Sequence, residues 1–425
     1  MPKYNIIELF SGIGSQLKAL NNIGVETNVV SISEWDIHAF VAYDAIHNSI
    51  ENLPEIEKMS KENILDKLRF FVLSNSGKEP MSFKTISSYS HEALKRIYSA
   101  IIRCNNIVDI HQMNGANINQ EIDILTYSFP CQDLSNVGAF HGYNKGIDKN
   151  SGSRSSLLWE VGRILTEMND LNKPLPRFLI LENVPSLLSQ RHKRNFDIWQ
   201  NDIEKLGYKN KIYLLNASNY GIPQNRPRLI MISVFLPENE IQKNKLDQEI
   251  NDYFESHNLE NKEYIDSLNI QAKSLKSLLR TNYKNKTLYA EALECQPNDT
   301  ISRKAIWKGN PKLIDEYGEM KYSMVRTLTT KQDRHPNSGN LYFDYEGNKR
   351  SKFRYLTPRE CFLFMGFDET DFEKVIKNNP EFHKNNKLFP RDKLIRMAGN
   401  SIPVNLLEQV FKQVLEIDEM IKQNH

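Results

Sequence analysis

No apolar run in this chain approaches the ~18–20 residues that a bilayer crossing requires. The N-terminal stretch MPKYNIIELFSG lacks the basic-then-apolar layout of a secretory signal. Cysteine is scarce: Cys104, Cys131, Cys295 and Cys361 lie far apart and form no CxxC pair. That disfavours a zinc module or a disulfide scaffold, so no metal is expected, and it fits a reducing cytoplasm. An excess of one charge is also missing, since 55 Lys+Arg stand against 53 Asp+Glu. Bulk charge therefore does not announce a polyanionic partner. Internal repeats and strong low-complexity tracts are absent too. These absences argue against a membrane protein, a secreted precursor and a disordered chain.

What is present is a 425-residue chain, 40% hydrophobic and 25% charged, with room for two domains and a sizeable core. Charge is unevenly distributed. Residues 271–355 carry 17 Lys+Arg and 9 Asp+Glu, a net +8, while 238–270 carry 9 acids and 3 bases. The basic segment suggests a surface for a polyanion; a solvated lysine-rich face is the bland alternative.

The first 235 residues alternate strand and helix patterns. Tyr4–Phe10 reads as a strand, ends at a Gly12-Ile13-Gly14 turn and passes into a helix over Gln16–Asn21. Further strands are expected at Asn28–Ser33, Ile107–Ile110, Ile122–Tyr127, Arg177–Leu181, Lys211–Leu215 and Leu229–Phe235. Helices are expected at 37–48, Ser156–Thr166 and Phe196–Leu206. A lysine- and asparagine-rich stretch, about 50–105, reads as a helical insertion. This alternation predicts an α/β fold with a mostly parallel sheet covered by helices. It breaks down after 236, so a second, smaller domain is placed at 236–355. Helices return over Pro358–Met365 and Val404–Ile421, in a segment, 356–425, that closes both domains.

In such folds ligands bind beyond the carboxyl ends of the strands. Gly12 and Gly14 follow the first strand, although GxGxxG is broken by Leu17. Glu34 ends the second strand, where a carboxylate can accept bonds from both hydroxyls of a ribose; Trp35 offers a stacking face. Together they suggest an adenosine-containing cofactor without saying which. Cys131, in SFPCQ, ends another strand after the rigid Pro130, with Gln132 and Ser135 nearby. Most lone cysteines are core residues, but this one precedes a glycine- and serine-rich loop, 133–156, able to cover a substrate. Glu182 ends a further strand in LENVP. Arg226 and Arg228 flank Pro227 in QNRPR, and two residues apart in an extended run they point the same way.

Taken in order, ELFSGIGS (8–15), SEWD (33–36), VDI (108–110), SFPCQDLS (128–135), RSSLLWE (154–160), LENV (181–184), QNRPR (224–228), RYLTPRECFLFMGF (354–367) and AGNSIPV (398–404) resemble the bacterial DNA (cytosine-5)-methyltransferases of restriction-modification systems. Glu8 stands where many relatives carry Asp, and many lack the 50–105 insertion.

The resemblance implies a Rossmann-like methyltransferase fold over residues 1–235 and a target-recognition domain over 236–355. It implies S-adenosylmethionine as the methyl donor, with S-adenosylhomocysteine as the product. Phe10, Gly12, Gly14, Glu34, Trp35, Asp109, Ile110, Pro130, Leu157, Asn400, Ser401 and Ile402 would form its site, Glu34 binding the ribose and Trp35 stacking on the adenine. Cys131 would be the nucleophile that adds to C6 of a flipped cytosine, and Glu182 the acid that engages the base. Arg226 and Arg228 would be the active-site arginines. Gln132, Ser135, Arg154 and Gln224 would touch DNA. A loop at 133–155 would close over the base. The expected partner is double-stranded DNA, with a cognate restriction endonuclease as a functional partner only. The expected state is a monomer, cytoplasmic and nucleoid-associated. Rival readings are an RNA methyltransferase of the same fold, a nicotinamide oxidoreductase, disfavoured by the broken glycine fingerprint, and a non-catalytic DNA-binding homologue.

Overall fold

The computed structural model describes residues 3–130, 154–236, 239–344, 350–383 and 386–423. Its strands begin with β1 (Tyr4–Leu9), β2 (Thr27–Ser33), β3 (Ile124–Tyr127), β4 (Phe178–Asn183), β5 (Tyr208–Asn216), β6 (Gln224–Asn225) and β7 (Pro227–Phe235). All but β6 make one sheet in the order β2-β1-β3-β4-β7-β5. β1 to β4 are parallel, and β7 runs antiparallel to both β4 and β5. The expected mostly parallel sheet is therefore present.

Burial explains why these runs are strands. β1 is apolar on both faces: Tyr4 and Ile6 join one core, Ile7 and Leu9 the other. Alternation along a strand sends neighbours to opposite sides, so a continuous apolar run belongs in a sheet covered twice. Helices Ser15–Asn22, Ile37–His47, Leu158–Asp170 and Gln190–Lys205 supply the covers.

The 50–105 insertion contains four helices, Pro54–Glu57, Lys61–Leu68, Phe83–Ser87 and His91–Arg103. Ser60, Ser82 and Ser90 cap three of them, each accepting from a backbone N–H three residues on. The insertion is fastened to the body of the domain. Arg96 and Arg103 each donate to Oδ2 of buried Asp44 at 2.6 Å, so the insertion's last helix is locked to Ile37–His47.

One expectation fails here. Residues 107–110 do not form a strand: Val108 is left-handed at φ 68°, and a 3₁₀ turn follows at Ile110–Gln112. Only Asn106 keeps a bridge, to Ile32 of β2. Just past 236 the chain stays packed against the sheet. Helix Glu240–Ser256 packs beside β5 and helix Val404–Gln423, with Lys209 donating to Asp247 and Tyr253 to Glu416, both at 2.5 Å. Leu246, Ile250 and Phe254 are buried in the main core. The acidic segment thus covers the sheet's outer edge.

Beyond it lie β8 (Lys312–Ile314), β9 (Val325–Arg326), β10 (Asn340–Tyr342) and β11 (Phe353–Tyr355). β11, β10 and β8 form a small sheet, and β9 pairs with β6. The chain then returns. Arg354 and Glu360, both fully buried, make a two-pronged ion pair at 2.8 Å. Glu360 also accepts from the backbone of Arg280 and Thr357. Tyr4 donates to Asp418 at 2.6 Å, joining the last helix to the first strand.

Candidate active site

The carboxyl ends of β1, β2, β3 and β4 open into a cavity of about 440 Å³, inside the roughly 300–1,000 Å³ range of small-molecule sites. Its wall contains Phe10, Gly12, Glu34, Trp35, Asp109, Ile110, Pro130, Leu157, Glu182, Arg226, Arg228, Asn400, Ser401 and Ile402. Residues separated by hundreds of positions meet because each closes a strand or loop at the same sheet edge.

At one end, Phe10 and Gly12 turn out of β1 with φ of 58° and 57°. The turn aims the Gly12 N–H at Oε2 of Glu34, 3.0 Å away; the Asp36 N–H takes Oε1 at 2.9 Å. Burial raises the Glu34 carboxyl to about 7, with the nearby Asp36 charge adding to the rise and these backbone donors opposing it. Each oxygen is held in place by one N–H and keeps lone-pair capacity for a ligand hydroxyl. Trp35 lies alongside. Val108, like Phe10, holds a left-handed backbone while lining the cavity. For a β-branched residue that conformation is strained and typical of binding sites.

At the other end stands Glu182. The antiparallel register sets Asn183 of β4 opposite Leu229 of β7, so Arg228 arrives beside the strand's last acid. Its Nε meets Oε1 of Glu182 at 2.8 Å. Burial still leaves the Glu182 carboxyl above its ordinary value, though Arg228, and then Arg226, pull it down. Asn183 donates to the carbonyl of Phe129 at 3.2 Å. That bond ties the β4 end to the segment entering Cys131. Cys131, Gln132, Ser135 and the 133–153 stretch lie outside the described residues. Arg154 begins a 3₁₀ turn, Arg154–Leu157.

Three of the expected site residues also have packing roles. Arg226 and Arg228 both line the cavity, and both guanidinium groups pull the Glu182 pKa down. Arg226, in the break between β6 and β7, is buried and donates to the carbonyls of Leu328, Gly399 and Ser401 at 2.7–2.9 Å. Gln224 packs inside the protein. It is fully buried, donating to the Phe364 carbonyl and accepting from the Leu328 N–H. Gly14 is not part of the cavity wall; it lies under His47 and Tyr43, where a Cβ would collide with their rings, and its φ is 79°. Its role is to let the turn pass beneath them.

Sequence reasoning missed Asp36, Ala39, Gly77, His111 and Met397, which also line the cavity. Asp36 had a signal, since an acid just before an apolar helical run is an N-cap; it accepts from the His38 N–H. Gly77, inside the insertion, had none.

A family model described as C-5 cytosine-specific DNA methylase matches residues 77–416. The chain belongs to the C-5 cytosine-specific DNA methylases. As a member of that family it is a DNA (cytosine-5-)-methyltransferase. It is 32% identical over 421 residues, 97% of both chains, to the orphan methyltransferase M.SssI of Spiroplasma monobiae. It is 29% identical, over 97% of this methylase and 99% of the relative, to the type II methyltransferase M2.ScrFI of Lactococcus lactis subsp. cremoris. The fold matches that of the Dnmt2 methyltransferase of S. pombe, with a TM-score of 0.54 at 16% identity over 98% and 99% of the two chains. No helix among the described residues of the methylase is long and apolar enough to cross a membrane.

Proposed function

We propose that this methylase transfers the methyl group of S-adenosylmethionine to C5 of a cytosine flipped out of duplex DNA, through a covalent bond between Cys131 and C6. The observation that carries this reading is the sharing of one cavity by two unlike ends. One end, Glu34 and Trp35, suits a nucleoside; the other, the Glu182–Arg228 pair, suits a polar base. The cavity volume and the two anchored oxygens of Glu34 fit an adenosine-bearing cofactor. Glu34 would hold the ribose, Trp35 the adenine, and Phe10, Gly12, Asp109, Ile110, Pro130, Leu157 and Asn400–Ile402 the remaining faces.

C5 of cytosine is a weak nucleophile, so the ring needs activation. The Cys131 thiolate adds to C6, and electron density moves toward C5 and N3. Glu182 shares a proton with N3 and accepts from the exocyclic amine, offsetting the charge that addition creates. Burial, which raises its pKa above the ordinary carboxylate value, favours the protonated form. Arg228 holds the carboxyl in place. When bound, S-adenosylmethionine supplies an electrophilic methyl group at C5. Loss of the C5 proton to a base then lets Cys131 depart. Because C6 is stacked in a duplex, the base must first leave the helix, at a cost of roughly a few kcal/mol that pocket contacts offset. The second domain would read the flanking sequence, acting as part of a monomer, whether or not a restriction endonuclease accompanies it.

The direct test is trapping on a duplex containing 5-fluorocytosine, where fluorine blocks loss of the C5 substituent. With S-adenosylmethionine, wild-type protein should become attached to DNA through Cys131 and Cys131→Ala should not. No adduct with the wild type, on a site that it methylates, would overturn the covalent route.

A further inference from the structure

The insertion at 50–105 has no assigned role, yet one of its loops reaches the cofactor end of the cavity. Residues 73–81 fold back on themselves, with the Met81 N–H donating to the Leu73 carbonyl at 2.7 Å. Inside the bend, Ser74 Oγ accepts from the N–H of Ser76 and Gly77 and donates to the Glu79 carbonyl. The loop is paired to the strand end that carries Glu34 and Trp35. Ser74 N–H donates to the Trp35 carbonyl, and the Ile37 N–H to the Ser74 carbonyl, both at 2.9 Å.

A third element clamps this pair. Arg396 belongs to helix Arg391–Asn400, whose end carries the Asn400–Ile402 wall. Its guanidinium donates to Asp36 Oδ2 and to the Ser76 carbonyl, each at 2.5 Å, and to the Asn75 carbonyl. Lys393 on the same helix also donates to the Asn75 carbonyl. The other oxygen of Asp36 is taken by the His38 ring and N–H. Gly77, with φ 64°, then sits on the cavity wall with nothing but Asp36 within 4 Å of its missing Cβ.

We propose that the Ser74–Gly77 loop of the insertion is a wall of the cofactor pocket at its ribose end, and that Arg396 is a positioning residue that holds this wall, the Glu34–Asp36 turn and the Asn400–Ile402 loop in one arrangement. The inference rests on the reading of the cavity as a nucleoside-cofactor site. A charged fork bonded to one carboxylate and two carbonyls has no flexible substitute. Without it, three chain segments that are remote in sequence lose their common anchor, and the turn whose Asp36 N–H holds Oε1 of Glu34 loses a tie.

The test is titration calorimetry of the full chain with S-adenosylhomocysteine, without DNA, alongside anisotropy on a DNA duplex. Arg396→Met should weaken S-adenosylhomocysteine binding by about tenfold or more, the equivalent of one lost charged hydrogen bond. Arg396→Lys should recover part of it. Gly77→Asn keeps a left-handed backbone accessible and places an amide against Asp36 and the pocket, so it should also weaken the ligand while leaving duplex affinity unchanged. If Gly77→Asn binds S-adenosylhomocysteine as tightly as wild type does, the wall assignment is overturned. If Arg396→Met folds and binds like wild type, the positioning role is overturned. Failure of the wild type itself to bind would instead sink the cofactor reading.

Discussion

Glu182 and Glu34 are both half-buried carboxyls at strand ends, yet their neighbours differ. Glu182 leans on a guanidinium, Arg228, at 2.8 Å. Glu182→Gln removes the transferable proton but keeps the shape. Single-turnover methylation should fall by roughly 10²–10⁴-fold, while S-adenosylhomocysteine affinity by calorimetry should hardly change. An equal loss in both would mark Glu182 as structural. Glu34 accepts from the backbone N–H groups of Gly12 and Asp36, and burial raises its carboxyl to about 7. A raised acid keeps its proton in the folded protein after the unfolded chain has lost its own; that contribution to stability is complete below the ordinary carboxylate range and fades as pH climbs through 7. Ribose hydroxyls donate best to the ionised form, so ligand binding must work in the other direction. S-adenosylhomocysteine should bind more tightly as pH rises from 6 to 8, by up to about tenfold for a one-unit drop in the bound-state pKa. Calorimetry should detect proton release on binding near pH 6.5. Glu34→Gln should bind weakly and with a flat profile.

Among the elements, the strand–turn–helix opening was legible because its cues are local: an apolar run, two glycines, then a helical pattern. Residues 107–110 misled for the converse reason. IVDI is β-prone, but Val108 is held left-handed against the cavity, and tertiary packing overrides propensity. The Arg354–Glu360 pair is another feature hidden from local reading. It joins β11 to the capped helix Pro358–Leu363, while Arg280 and Tyr283 contribute from the second domain. Breaking such a pair leaves one charge buried alone. Arg354→Met should lower unfolding free energy by about 3–5 kcal/mol, read as a shifted urea midpoint. Adding Glu360→Gln should recover part of the loss, since the coupling is not additive. A sum of two independent losses would show that the charges do not act as a pair.

Over the whole molecule, charge is sorted by place. The acidic helix Glu240–Ser256 sits on the outer sheet edge, and the basic segment beyond 270 contains the stretch nearest the cavity. There Arg326, Lys331 and Arg334 are exposed, and Gly399 lies so close to Thr329 and Thr330 that a Cβ would clash with their backbone. Replacing these three cations with Ala should weaken duplex binding and flatten the plot of log K against log salt. The slope should fall by about 0.9 for each phosphate that the protein no longer neutralises. An unchanged slope would move the DNA surface to another face.

The amino-acid sequence by itself determined the parallel α/β body, the placement of Glu34 and Glu182 at strand ends, and the family. Each of these rests on periodicity or on short motifs whose parts are neighbours in the chain. Only the tertiary structure decided that Arg226 clasps three backbone carbonyls while its near neighbour Arg228 meets Glu182, that Gln224 is buried, and that a loop of the insertion shares a wall with Glu34. Those outcomes depend on the break between β6 and β7 and on an ion pair joining Asp36 to Arg396, 360 positions away. The direction of a side chain at a strand break, and the partner waiting there, are set by how distant segments pack, and no local pattern carries that information.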